Sequence, residues 1–242
     1  MKIGIIVAMD KEFAQLRTLL NDCRTERQHH KDFVVGTLGH LTVVVQQCGI
    51  GKVNSAIGAV ELIDLYQPDL VVSTGVAGGA DPTLNVQDVV VGTAYVYHDA
   101  YCGEQCADGQ LQGMPARYAT PTTLEGAISR TAELCAQTDT AHLRQGLIVS
   151  GDWFVDTKEK MRAILTLFPE ATAVDMESCS IAQTCHVYGV PFVIDKGKSI
   201  LKLGTKNQAP MSEGHLIFIS HYSIIVLSKN TLPHIFFTPF LD

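Results

Sequence analysis

Two carboxylates stand where apolar strands give way to helices. Glu12 closes Ala8-Met9-Asp10-Lys11-Glu12, and Glu177 lies in Val174-Asp175-Met176-Glu177-Ser178. A carboxylate in a first helical turn is favoured by the helix dipole, so a solvated helix-start acid is the simpler reading of Glu12 taken alone. Glu177 is equally well an N-terminal cap or a group facing a ligand. Three strands run into glycine-rich turns: Cys48-Gly49-Ile50-Gly51-Lys52, Thr74-Gly75-Val76-Ala77-Gly78-Gly79 and Ser150-Gly151-Asp152. Ligands of open α/β sheets sit at the carboxyl ends of strands, where such turns lie, and glycine lets them approach the backbone. Each turn alone is also an ordinary turn. Gly49-x-Gly51 lacks the third glycine of a dinucleotide fingerprint, and no phosphate-binding P-loop is present. His98-Asp99 invites a His/Asp relay, but no nucleophile elbow accompanies it, which leaves loop packing. Trp153 and Phe154 either stack on a flat ring or fill core, core being the commoner fate of aromatic residues.

These groups are carried by alternating short strands and helices. Strands are predicted over 2–8, 41–46, 70–74, 89–91, 147–150, 173–175 and 192–194 from near-continuous apolar runs. Helical spacing appears over 11–20, 53–66, 123–138, 157–167 and 178–188. Such alternation predicts a three-layer α/β/α sandwich around a mostly parallel sheet. No Pro-, Gly- or Ser-rich linker divides the chain, so 1–242 reads as a single domain. The polar stretch 100–122 has little periodicity, and a loop that long is more often functional than idle.

The chain's 242 residues are 46% hydrophobic and 18% charged, with a net charge of −7. A chain of this length buries roughly 70–75% of its unfolded surface and folds without staples. There is no basic run for nucleic acid. The apolar run 3–9 is too short for a secretory segment. The run 216–227, broken by Ser220, His221 and Ser223, falls short of the ~20 residues of a membrane helix. The seven cysteines are irregularly spaced and read as reduced thiols of a cytoplasmic protein. Cys102-x3-Cys106 lacks a second ligand pair, so no metal is expected.

Six segments in order together resemble one known family. They are Ile-Gly-Ile-Ile-Val-Ala-Met-Asp-Lys-Glu (3–12), Gly-Ile-Gly-Lys-Val-Asn-Ser-Ala (49–56) and Thr-Gly-Val-Ala-Gly-Gly (74–79). Tyr-His-Asp-Ala (97–100), Gly-Leu-Ile-Val-Ser-Gly-Asp-Trp-Phe-Val (146–155) and Ala-Val-Asp-Met-Glu (173–177) complete the set. The family is 5′-methylthioadenosine/S-adenosylhomocysteine nucleosidase, of the nucleoside phosphorylase superfamily. The resemblance implies a mixed-sheet α/β sandwich that hydrolyses the N-glycosidic bond of adenine nucleosides as a homodimer, without metal or organic cofactor. It implies that Glu12 activates or positions water, and that Glu177 binds the ribose hydroxyls with Met176 against the sugar. Phe154 would stack on adenine and the Val155 backbone would read the base edge. Ile50 and the turn of Val76, Ala77 and Gly78 would line the ribose side. The loop 100–115 would help form the alkylthio pocket, partly across the dimer interface.

Past residue 193 the sequence departs from that pattern. The family donates a proton to adenine N7 from an aspartate closing an Arg-Ala-x-Ser-Asp segment after Val-Pro-Phe-Val. Here Val190-Pro191-Phe192-Val193 is followed by Ile194-Asp195-Lys196-Gly197-Lys198-Ser199-Ile200, so Ile200 stands at the acid's place. Asp195 lies five residues upstream, ~16 Å along a strand, and is a poor substitute. Severely reduced turnover in a largely intact nucleoside pocket is therefore expected. Residues 215–242 carry only Lys229 and Asp242 as charges, with Pro233, Pro239 and sticky apolar runs. Together with the better-fitting island 204–212, this suggests an altered reading frame over roughly 194–203 and again beyond about 213. The alternatives are a non-catalytic adenine-nucleoside binder or degraded homologue, and a purine nucleoside phosphorylase. A phosphorylase would need cations at the glycine turns, where only Lys52 stands.

Overall fold

Strand β1 (Lys2–Val7) shows how the sheet is covered on both faces. Ile3, Ile5 and Val7 pack to one side with Leu16 of α1 (Asp10–Leu19), and Ile6 packs to the other with Leu62 of α2 (Lys52–Tyr66). Alternation of side chains at period 2 thus gives an unbroken apolar run when helices cover both faces. The computed structural model describes residues 1–85, 88–136 and 142–198.

The other strands are β2 (Asn21–Gln28), β3 (Lys31–Leu38), β4 (Leu41–Gln47), β5 (Leu70–Gly79), β6 (Val89–Tyr97), β7 (Tyr118–Ala119), β8 (Leu143–Ser150), β9 (Ala171–Asp175) and β10 (Phe192–Lys198). The remaining helices are α3 (Glu125–Ala136), α4 (Lys158–Leu167) and α5 (Ser178–Tyr188). The strand order is β10-β6-β8-β9-β5-β1-β4-β3-β2. β10 also pairs with β5, so the first five strands of that path close on themselves and the last four extend as a wing. The sheet is mixed: β1 runs parallel to β4 and β5, whereas β5–β9 and β6–β10 are antiparallel. Helices α2 and α5 share one core with Ile6, Val44, Ile148 and Ile194. The predicted α/β/α layering is the one observed.

The structure adds to and extends the predicted strands, and the one predicted over 89–91 runs on to Tyr97. The hairpin of β2 and β3 adds two strands that the prediction lacks, although Phe33, Val34 and Val35 give β3 a buried apolar run; only β2 offers no apolar signal. β2 is a polar edge strand, and its turn is made by His29 and His30 at φ +47° and +69° instead of the usual Asn-Gly. The strand predicted over 70–74 runs on through Gly79, so Val76, Ala77 and Gly78 are strand residues and form no turn. Their ladder comes from β10, which pairs with Gly75 to Ala77, and from β9, which pairs with Gly78 and Gly79. The strand predicted over 192–194 likewise continues to Lys198, because β5 and β6 flank it and satisfy its backbone. The polar stretch after β6 is tied down where Gly109, at φ +75°, passes over Tyr97; a side chain there would strike the Tyr97 carbonyl.

Candidate active site

The turn after β1 places Glu12 in the first turn of α1, folded back on its own backbone. Oε2 accepts the amides of Ala8 at 3.2 Å and Met9 at 3.0 Å, while Oε1 accepts the amide of Val76 on β5 at 3.2 Å. The carboxylate is buried, so the solvated helix-start acid is ruled out. Burial pushes its proton affinity up, against Lys196 and the three amides, which favour the ionised form. Gly75 gives it room: a β-carbon there would lie 2.8 Å from Oε1. Gly75→Ala is expected to dislodge the carboxylate and slow turnover about 10²-fold with an intact fold. Steady-state rates beside a thermal melt check this, and a parent-like rate would show that the held position is dispensable.

Glu177 precedes α5 and does not cap it. It turns inward instead, and Oε1 accepts the Gly51 amide at 3.0 Å from the turn between β4 and α2. A side-chain cap is thereby excluded. Burial raises its pKa to about 7; Lys196 opposes this, Asp175 adds to it, the Gly51 amide opposes it and Glu12 adds to it. Between the ordinary 4.5 and about 7 the folded protein holds this proton more often than the unfolded chain. Its contribution to stability therefore falls as pH rises through that window. Glu177→Gln removes the titration, so the variant's Tm relative to the parent should improve from about pH 4.5 to about pH 8. Parallel Tm curves across that range would contradict the shift.

Lys196 and Asp175 escaped the sequence reading. Lys196 on β10 is 2% exposed, with Nζ 3.0 Å from Asp175 Oδ2 and 4.0 Å from Glu177 Oε2. Burial alone would favour neutral lysine, but Asp175, Glu177 and Glu12 around it raise its pKa above the ordinary lysine value. Asp175 is itself fixed by the Ser150 hydroxyl at 2.5 Å, by the Ser178 amide and by the Ser178 hydroxyl at 2.6 Å. A lysine two residues beyond an apolar strand core was the one available signal, and it has force only if the strand continues. Asp195, on the opposite parity, takes the Thr74 hydroxyl at 3.2 Å and neighbours Cys135 of α3, away from this cluster. Its carboxylate is therefore not part of this cluster. Ile200 lies outside the described residues, as does the tail beyond 198.

The remaining expected positions differ in exposure. Ala77, Gly78 and Val155 are buried, and Val76 and Met176 are half-buried. Ile50 and Phe154 are exposed, at 54% and 62%, as is Trp153 at 44%. Trp153 and Phe154 are thus not core. Lys52 is already engaged, 2.8 Å from Asp99 Oδ2 and 4.0 Å from Asp152 Oδ2. His98 is buried against Trp153 and Gly151, the packing role expected of it.

Three buried carboxylates around one buried ammonium, at the ends of strands in a closed mixed sheet, define an α/β protein equipped for acid–base work on a neutral or cationic centre. Residues 2–196 match the family model described as phosphorylase superfamily. The chain is 40% identical over 203 residues to the 5′-methylthioadenosine/S-adenosylhomocysteine nucleosidase of Staphylococcus epidermidis, covering 84% of this chain and 87% of that protein. Its fold is similar to the nucleosidase of Colwellia psychrerythraea solved with adenine, with a TM-score of 0.85, 34% identity and coverage of 94% and 93% of the two chains. The nucleosidase of Neisseria meningitidis, solved with methylthio-immucillin-A, gives a TM-score of 0.82 at 32% identity, covering 93% of this chain and 97% of that one. The chain belongs to the phosphorylase superfamily and, within it, to the 5′-methylthioadenosine/S-adenosylhomocysteine nucleosidase family.

Proposed function

We propose that this protein hydrolyses the N-glycosidic bond of 5′-methylthioadenosine and S-adenosylhomocysteine, releasing adenine and a thioribose product. The observation that carries this is the pair of buried glutamates, Glu12 and Glu177, facing one lysine. Cleavage of C1′–N9 builds positive charge on the ribose, as in other glycoside hydrolyses, and a surplus of carboxylate favours that charge. Glu12 takes the proton of a water whose oxygen bonds to C1′, while the C1′–N9 electron pair leaves with adenine. Glu177 accepts the ribose hydroxyls, and Met176 packs against the sugar. Phe154 stacks on the base, and the Val155 backbone meets its edge. Ile50, Val76, Ala77 and Gly78 line the ribose side, and the loop 100–115 lines the alkylthio pocket.

The same charge balance speaks against phosphate as nucleophile. Lys52 and Lys196 are both paired with carboxylates, and a phosphate dianion would enter among acids. No described group stands in for an acid at position 200, so turnover is reduced while binding persists. A homodimer is supported by exposed Ile50, Val53, Ile57 and Tyr101, an apolar surface beside the site. A cytoplasmic setting is supported by seven free thiols. Among the described residues no helix is long and apolar enough to cross a membrane.

Adenine release from methylthioadenosine, measured with and without phosphate beside calorimetric binding of the nucleoside, tests the proposal. The expected result is binding with slow, phosphate-independent release. Release only with phosphate would establish the phosphorylase alternative, and binding without any release would establish a non-catalytic binder.

A further inference from the structure

The cation of the site is held by something other than the two glutamates it faces. Asp175 receives four donors, from Ser150, the Ser178 amide and hydroxyl, and Lys196. Ser150 Oγ in turn accepts the Cys179 amide at 2.9 Å, so Asp175 is anchored to the first turn of α5 and to the end of β8. Its contact with Lys196 is 3.0 Å, against 4.0 Å from Lys196 to Glu177. The ammonium is thereby fixed by a group that the proposed reaction does not use, and presents its charge to the groups that it does use.

We propose that Asp175 and Lys196 form a positioning pair of opposed effect, in which anchored Asp175 fixes the Lys196 ammonium beside Glu177, the ammonium favours the carboxylate forms of Glu177 and Glu12, and the charge of Asp175 tempers that effect at Glu177. The proposal rests on the nucleosidase reading for its purpose, but its geometry stands without it. Two buried carboxylates near one another oppose each other's ionisation, and a cation shared between them relieves this. Among the described residues, Asp175 also acts on Tyr95, His98 and Cys179. Glu177 faces Lys196 from β10, Asp175 from β9, Glu12 from α1, the Gly51 amide and the Cys48 thiol. Glu12 faces Lys196 and the amides of Ala8, Met9 and Val76. Cys48, whose pKa burial pushes up to about 12, stays neutral and adds no charge. Lys196 is the one cation acting on both glutamates among these groups.

The two members of the pair should act with opposite sign, which mere structural support would not produce. Carbon-13-labelled glutamate carboxyls are titrated by NMR in the parent, Lys196→Met and Asp175→Asn, with Glu12→Gln and Glu177→Gln to assign the two resonances. In Lys196→Met both midpoints should rise by about one to two pH units. In Asp175→Asn the Glu177 midpoint should fall, because a like charge is lost and the ammonium is freed towards it. Lys196→Arg, which keeps the charge, should leave both midpoints within about half a unit of the parent. Should Lys196→Met not fold, Asp175→Asn and Lys196→Arg still decide the matter. Unmoved midpoints in Lys196→Met, or a rise at Glu177 in Asp175→Asn, would overturn the proposal. Turnover is not needed for this reading. A parent that neither binds nor cleaves methylthioadenosine defeats the proposed function and leaves the titration result to judge the pair.

Discussion

Glu12→Gln is expected to lower the rate of adenine release about 10²–10⁴-fold while leaving nucleoside binding within a few-fold of the parent. The amide matches the carboxylate in size but cannot take a proton from water at neutral pH. It also cannot satisfy its surroundings. Three backbone amides donate to Glu12, one to Oε1 and two to Oε2. Whichever way the glutamine is turned, its NH₂ meets a donor, so some displacement adds to the chemical loss. Single-turnover adenine release beside calorimetry separates the two effects. A rate close to the parent's would remove Glu12 from the chemistry altogether.

Ile200→Asp is expected to raise adenine release by a comparable factor, about 10²–10⁴-fold. Adenine is a poor leaving group as an anion, and protonation at N7 during cleavage relieves that. An isoleucine has no proton to give, and Asp195 faces the opposite side of β10, near Cys135. The same factor is about 3–5 kcal/mol of barrier. Glu12→Gln is best read in this restored background, where a loss of that size remains measurable. The two effects need not add, since acid and base act on one bond. An Ile200→Asp rate equal to the parent's would place the defect in more than one side chain, consistent with a chain altered over 194–203 and beyond 213. Resequencing the coding DNA then discriminates, because an uninterrupted frame in independent isolates refutes the altered frame.

The elements and the acids differ in how far local pattern reaches. β1, β4, α2 and α5 lie within a residue or two of the expected bounds, because each is buried on a face that its own periodicity declares. β2 and the far ends of β5 and β10 do not declare themselves, since polar or glycine-rich strands exist only when neighbours pair with them. Glu12 and Glu177 were legible as acids at strand-to-helix junctions. Whether they were solvated, capping or buried was not, since the deciding partners lie 64 residues away at Val76 and 126 away at Gly51.

The amino-acid order alone determined the α/β layering, the family resemblance over its motifs, and the isoleucine where a proton donor is expected. All of these are carried by local apolar spacing or by residue identity. The tertiary structure decided which charges meet. Register between β10 and β5 turns Lys196 toward Asp175 and Glu177 and Asp195 toward α3, although the two are chain neighbours. A strand alternates its faces by geometry, but which face becomes the acidic site is set by the strands that pair with it, and Coulomb energy then depends on those distances.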